Sequence, residues 1–413
     1  MTAQHAIKRR HERLGHRFGR LQVGFTLASS GDGFAYGAVP LLAVVVNPHP
    51  LAISAVVASD EIPWLLMALP AGALADRFLR TRLMAVVNLL RGVVLLAAGL
   101  LVLSHRMNLA LLILAVLMNA AGRAIYYSSL QATVPELVTL ESLERANGAL
   151  TGTEAAAEHV AGPIVGAAAF TAARALPFLA DAAALAFSGL PLVKLRTKTP
   201  PSTGPRGSIW GGAIWDGARH LFGDRRLRLL VVTMCSLAGL QGLVNGVLVL
   251  TATRDWGVHA GAYGAFLAAG AVGTIPGAIV AERLVARFGS ALTLLGSAVA
   301  CAVGYFVMAW SRTWLLSGPA FALTGFAIGA GTVVAISMRQ RLTPDELMGR
   351  VGAAWRGIIW GAAPVGALAA GGLALLGGLR LPLYLAGALQ LAMVVMLARP
   401  LVRGLPKRVG ASP

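Results

Sequence analysis

Gly72-Ala-Leu-Ala-Asp76-Arg77-Phe-Leu79-Arg80-Thr-Arg82 is the stretch that decides the fold. An apolar run from about Leu51 leads into it, and a second leaves it and ends near Leu103. A membrane helix needs roughly 20 apolar residues. The charged hinge therefore joins two segments that are each long enough to cross a bilayer.

The rest of the chain extends the same pattern. Of its 413 residues, 57% are hydrophobic and 13% charged, and the mean hydropathy is +0.72. Soluble domains are about one quarter charged, so the composition is that of an integral membrane protein. Spans are predicted near 21–46, 51–75, 83–103, 108–130, 146–170 and 175–194 in the first half. The second half gives about 228–252, 261–284, 289–310, 314–338, 351–377 and 381–399. The expected organisation is a basic segment 1–20, a six-helix bundle 21–195, a linker 196–227, a second six-helix bundle 228–400 and a tail 401–413. The linker is rich in Pro, Gly and Ser at first. It then becomes amphipathic, with Ile209, Trp210, Ala213, Ile214, Ala218 and Leu221 at helical spacing, which predicts a helix lying at the membrane surface. The run from Leu21 is too long for a secretory signal of roughly 7–15 apolar residues and reads as an uncleaved first helix.

Orientation follows from Lys and Arg. With both termini inside, 27 lie on the cytoplasmic side, five in the outer loops, and Arg91, Arg123 and Arg356 within spans. That bias sets both termini in the cytoplasm. It also accounts for the net charge of +18 without nucleic acid. The expected setting is a bacterial inner membrane, with the protein a monomer.

Two loops repeat at about half the chain length. Gly72-Ala-Leu-Ala-Asp-Arg77 returns as Gly277-Ala-Ile-Val-Ala-Glu-Arg283, and Gln131-Ala-Thr-Val-Pro135-Glu-Leu137 returns as Gln340-Arg-Leu-Thr-Pro344-Asp-Glu-Leu347. Two related bundles of six helices follow, with a substrate site between them near the bilayer midplane.

The hinge resembles the loop between the second and third helices of the major facilitator superfamily, whose pattern runs Gly-x-Leu-x-Asp-Arg-x-Gly-Arg-[Arg/Lys]. Gly72, Leu74, Asp76, Arg77 and Arg80 fit it, Leu79 stands where the family has Gly, and the last basic residue is displaced by one, to Arg82. In that family the matching acid clamps the halves together on the cytoplasmic side. The resemblance thus implies a latch at Asp76 with Arg77 as partner. Gly162-Pro163-Ile-Val-Gly166 resembles the fifth-helix motif of drug–proton antiporters, with Glu158 and Ala167 in place of its outer glycines. On its own chemistry Pro163 removes a backbone hydrogen bond and predicts a kink, while Gly162 permits close helix approach. Glu144-Arg-Ala-Asn147-Gly, Pro344-Asp-Glu-Leu-Met-Gly-Arg350-Val and Ala363-Pro364-Val-Gly366 resemble the branch containing enterobactin and macrolide exporters.

Charge inside the spans carries the functional reading. Asp32, Asp60, Glu61, Glu154, Glu158 and Asp181 all lie in the first half, and the second half reads as having none. An acid at mid-helix costs roughly 2.5–3.5 kcal/mol on insertion scales. At about 1.5 Å per residue, Asp32, Asp60 and Glu158 sit roughly 15–18 Å from a membrane face. Glu154 and Glu158 are four apart, beside His159, so one of the two should hold a proton near neutral pH. These acids are either proton carriers, with Asp32 and Glu158 foremost, or a static ion-pair set with Arg91 and Arg123. Arg123 does not take the place of the fourth-helix arginine of drug antiporters, which aligns near Met118. Gln241 and Asn245, four apart in the seventh span, are either ligand contacts or an interhelical hydrogen bond. Trp64, Trp310, Trp314, Tyr126, Tyr127, Trp355 and Trp360 are expected mostly as interface anchors.

No nucleotide-binding loop, nucleophile elbow or paired-histidine metal motif occurs, so no enzyme, cofactor or metal is expected. Cys235 and Cys301 fall in apolar runs and read as small buried residues. The expected protein is a proton-coupled exporter of a small amphipathic solute. Its alternatives are a nutrient importer or facilitator of the same fold and a non-transporting sensor or assembly protein. The topology is checked by reporter fusions. A fluorescent protein after Pro413 should fluoresce and alkaline phosphatase there should be inactive, with the reverse for insertions beside Arg312.

Overall fold

A computed structural model describes residues 14–67, 70–139, 142–195, 212–344 and 347–404. The described chain is helical throughout, with no strand. The first half runs α1 (Gly15–Val46), α2 (Pro50–Met67), α3 (Pro70–Arg77), α4 (Arg80–Leu103), α5 (Leu109–Leu137) and α6 (Leu143–Thr153). A π-helical segment (Glu154–Ala161), α7 (Gly162–Ala172) and α8 (Leu176–Val193) complete it. After α9 (Gly212–Gly223), the second half comprises α10 (Arg225–Arg254), α11 (Ala260–Phe288), α12 (Ser290–Trp310), α13 (Trp314–Leu342), α14 (Met348–Gly377) and α15 (Leu381–Gly404).

Eleven of these helices are long and apolar enough to cross a membrane among the described residues. The twelfth pass, the fifth in order, is α6, the π segment and α7 end to end. In this pass the turns before Pro163 widen into the π-helical segment. Proline has no N–H to return to the preceding turn. The shift in hydrogen-bond register is visible where the Gly162 N–H donates to the Ala157 carbonyl, five residues back.

The helices are apolar on their outer faces and keep their few polar side chains inside, among apolar core residues. On α4, Val86, Leu90, Val93, Leu100 and Leu103 are exposed, while Met84, Asn88, Arg91, Leu95 and Ala98 on the opposite stripe are buried. This arrangement suits hydrocarbon as solvent, where the polar side chains that do occur turn toward the bundle interior. Two helix starts carry side-chain caps. The Asn108 side chain accepts from the Leu111 N–H at 3.0 Å, and Asp224 accepts from the N–H groups of Arg226 and Leu227 at 2.7 and 3.0 Å.

The halves meet chiefly where α14 packs on α2 and α11 packs on α7. Small residues make this possible. A β-carbon on Gly264 of α11 would lie 1.8 Å from the Pro163 carbonyl oxygen, and one on Gly371 of α14 would lie 2.6 Å from Ser54 Oγ. At the end of the bundle away from the two chain termini, Ser54 Oγ donates to the Gly246 carbonyl at 3.2 Å and Arg254 Nη2 donates to that of Pro48 at 3.2 Å. At the termini end, α3 packs on α5 of its own half.

Three sequence expectations change here. Arg339, counted among loop charges, lies inside α13 and is only 9% exposed. Glu282 lies within α11, so the second half does hold one acid in a helix, six residues from its end. The linker helix α9 docks its Leu221 side into protein, with Gly217 against the Arg350 backbone. Ile209 and Trp210 lie outside the described residues.

Gly264→Ala should lower stability by about 1–3 kcal/mol by overpacking, read as a lower thermal midpoint in detergent. Gly148→Ala, where the added carbon meets nothing within 4 Å, should leave the midpoint unchanged or raise it.

Candidate functional site

Two arginines gather the acids of the first half. Gly122 opens the space for the first: a β-carbon there would lie 2.5 Å from Arg91 Cγ. The Arg91 guanidinium donates to Asp32, to Asn88 Oδ1 at 3.1 Å and, through Nε, to Asn119 Oδ1 at 2.9 Å. Arg91 and Asp32 are each buried. Arg123 donates from Nη2 to Glu158 Oε1 at 2.5 Å, while its Nε and Nη1 lie 3.8 and 3.9 Å from carboxylate oxygens of Asp32 and Asp60. The Tyr127 hydroxyl donates to the other Glu158 oxygen at 2.9 Å. Trp64 places its ring 5.7 Å from the Arg123 guanidinium, a favourable cation–π distance.

This cluster lines a cavity between the halves. A volume of about 140 Å³ is bounded by Asp32, Tyr36, Asp60, Glu61, Arg123, Asn245 and Tyr263, among others. It shares Tyr36, Asp60, Glu61, Arg123 and Asn245 with a larger space of about 690 Å³. That space adds Glu158, His159 and Gln241, and reaches Arg339 and Arg356 on the second half. A further 630 Å³ leads past Trp360 to Ala218 of α9. The cavity thus extends toward the termini end.

Most of the residues singled out in the sequence meet here. Asp32, Asp60, Glu61, Arg123, Glu158, His159, Gln241 and Asn245 line the cavity, with Arg91 behind Asp32. Glu154 reaches a different crevice, with Gln131, Asn147 and Thr151, on the other side of Tyr127. Its backbone carbonyl lies 3.3 Å from His159 Nδ1. Asp181 is fully buried beneath Gly31, and both its carboxyl oxygens lack a hydrogen-bond partner. Gly162 and Pro163 stand where α7 crosses α1: a β-carbon on Gly162 would lie 2.5 Å from Gly33 Cα.

At the hinge, the space around Gly72 is open and the side chain of Asp76 lies outside the described residues. Arg77 is exposed, its guanidinium 5.8 Å from the Phe78 ring. Arg80 donates to Glu136, to the Ala132 carbonyl at 2.9 Å and to the Ala75 carbonyl at 3.2 Å, tying the hinge to α5. Sequence reasoning placed Arg80 in the hinge pattern and did not single out Glu136.

Trp64, Trp355 and Trp360 are not interface anchors. Trp64 and Trp360 meet edge to face across the cavity, with ring centroids 5.2 Å apart, and Trp355 lies beneath Arg339. Trp310 and Trp314, at 72% and 56% exposure, keep the placement expected of anchors. The one signal that might have flagged the inward tryptophans is their proximity in sequence to Asp60, Glu61 and Arg356.

Removing one partner of a buried ion pair is costly because the other is stranded. Arg91→Met should therefore lower stability by about 3–5 kcal/mol. Adding Asp32→Leu should recover most of that loss, as read by thermal unfolding of the purified variants in a double-mutant cycle.

Residues 27–407 match the family of transmembrane secretion effectors. The enterobactin exporter of Escherichia coli O1:K1 is 25% identical over 354 residues, covering 83% of this chain and 82% of the relative. Among solved structures, a mutant of the nucleoside transporter NupG superposes with a TM-score of 0.75 at 13% identity, covering 94% of this chain and 99% of that one. A bacterial homologue of the iron transporter ferroportin, in an inward-facing state, gives 0.71 at 19% identity, covering 94% and 98%. The chain belongs to the transmembrane secretion effector family of major facilitator superfamily transporters.

Proposed function

We propose that this transporter exports a small amphipathic solute across a bacterial inner membrane in exchange for protons. One observation carries the reading: Asp32 and Glu158, each held by an arginine, stand in the wall of the cavity between the halves. A carboxylate paired with arginine gives up that pairing when it takes a proton. Protonation of Glu158 would free Arg123, which would then be drawn to Asp32 or Asp60. Proton and solute would thus compete for the Glu158 carboxylate, since a proton there removes the acceptor that a donor group of the solute would engage, and that negative coupling is the thermodynamic requirement for exchange. The opposite sequence, solute leaving on one side and proton entering on the other, follows from alternating access around a fixed site.

The 25% identical enterobactin exporter supports the direction of export. The cavity supports the class of solute, since aromatic Trp64, Trp360 and Tyr36 lie beside charged groups. Asp76 and Arg77, with Gly72 and Arg80, would latch the termini end when the cavity opens to the other side. Gly162 and Pro163 would allow the fifth pass to follow. Both chain termini would be cytoplasmic, and the solute would enter from that side.

In proteoliposomes, a transported solute should drive proton movement in the wild type, and Asp32→Asn and Glu158→Gln should each reduce it to background. Normal coupled flux in both variants would remove these carboxyls from the proton path. Solute flux with no proton movement in the wild type would favour a facilitator.

A further inference from the structure

Two arginines of the second half line the cavity and form no salt bridge among the described residues. Arg339 of α13 is only 9% exposed, and its Nε and Nη1 are buried without a hydrogen-bond partner. Its guanidinium lies over the Trp355 ring at 5.7 Å. Arg356 of α14 lines the same space. The two converge on Gly352: a β-carbon there would lie 3.0 Å from Arg339 Nη1 and 3.8 Å from Arg356 Nη1. Of the cavity's own carboxylates, Asp32, Asp60 and Glu158 are engaged by Arg91 and Arg123 on the opposite wall, and Glu61, which also lines the space, forms no salt bridge with either second-half arginine among the described residues.

Burying a charge without a partner is expensive, and arginine keeps its charge. A stacked tryptophan offsets part of the cost and holds the planar fork at a fixed angle, but it leaves the N–H donors unused. Two forks converging on a glycine, where no side chain intervenes, make a receptor for a group with several acceptor oxygens. Trp360, also in this wall, adds an aromatic surface.

We propose that Arg339 and Arg356 form an oxyanion subsite, and that the transported solute is an aromatic organic anion whose carboxylate, phosphate or phenolate group sits between them. This rests on the cavity being the transport path. It adds that charge selection resides in the second half, opposite the groups proposed to handle protons. The anion draws the basic wall toward the first half.

The test uses the full chain in phosphatidylcholine nanodiscs and three matched probes: 2-naphthoate, 2-naphthylmethanol and 2-naphthylmethylammonium. Isothermal titration calorimetry should show naphthoate bound tightest. Arg339→Gln and Arg356→Gln should each weaken it by about tenfold or more, the scale of a lost charge-assisted hydrogen bond, while leaving naphthylmethanol binding unchanged. Gly352→Ala should weaken naphthoate alone by displacing Arg339, and Arg356→Lys should recover part of the affinity. Unchanged naphthylmethanol binding guards against a misfolded variant. The proposal is overturned if naphthoate binds no tighter than the other two, fails to bind in the millimolar range, or binds both Gln variants as it binds the wild type. Competition by phosphatidylglycerol in the disc would place a lipid headgroup at the arginines and overturn the assignment to a transported solute. Coupled transport of a neutral or cationic solute alongside failed naphthoate binding would sink this subsite and leave the proton-exchange reading standing.

Discussion

A guanidinium at mid-membrane is costly to leave unpaired, and the architecture of the first half follows from that constraint. Arg91 on α4 holds Asp32 of α1 and Asn119 of α5. Arg123 on α5 holds Glu158 of the π segment and lies close to Asp32 and to Asp60 of α2. Five of the six membrane passes of this half are therefore tied together by two side chains. In hydrocarbon, where apolar packing between helices gains little over packing against lipid, such ties supply register and orientation that a leucine interface would not. They also explain how Asp32 and Glu158 tolerate burial.

The second half is built on a different principle. Its contacts are dominated by glycine and alanine backbones in close approach, as where a β-carbon on Gly273 would lie 1.9 Å from the Ala322 carbonyl and one on Gly366 would lie 1.8 Å from that of Gly239. Such a bundle is held by van der Waals contact and needs few charges, which leaves its arginines available to the cavity. The pseudo-symmetry seen in the repeated loops thus coexists with a division of chemistry between the halves.

The fold was legible because bilayer thickness constrains the sequence so strongly. Runs of apolar residues between short charged loops have few other interpretations, and the hinge from Gly72 to Arg82 fixed the family resemblance. The acids of the site were equally legible, since Asp32 or Glu158 in an apolar run is costly enough to demand a reason. What the sequence did not reveal was direction. Trp64 and Trp360 looked like interface anchors because tryptophan is common there, and only the rotation of α2 and α14 turns them onto each other. Arg339 sat close enough to a helix end to be counted with the loop charges. Its burial depends on α13 running four residues beyond the expected span, to Leu342. The π segment was invisible for a similar reason: Pro163 announces a lost hydrogen bond but not how the preceding turns will absorb it.

The meeting of three backbones at Pro163 has a mechanical consequence. The Pro163 carbonyl is approached by Gly37 of α1 on one side and by Gly264 of α11, in the other half, on the other; β-carbons on those glycines would lie 2.4 and 1.8 Å from it. Interlocked side chains would have to climb out of one another's grooves for the halves to tilt. Smooth main chain bearing on smooth main chain has no such teeth. The spot can act as a fulcrum, where a small roll is nearly free and the displacement grows with distance toward each membrane surface.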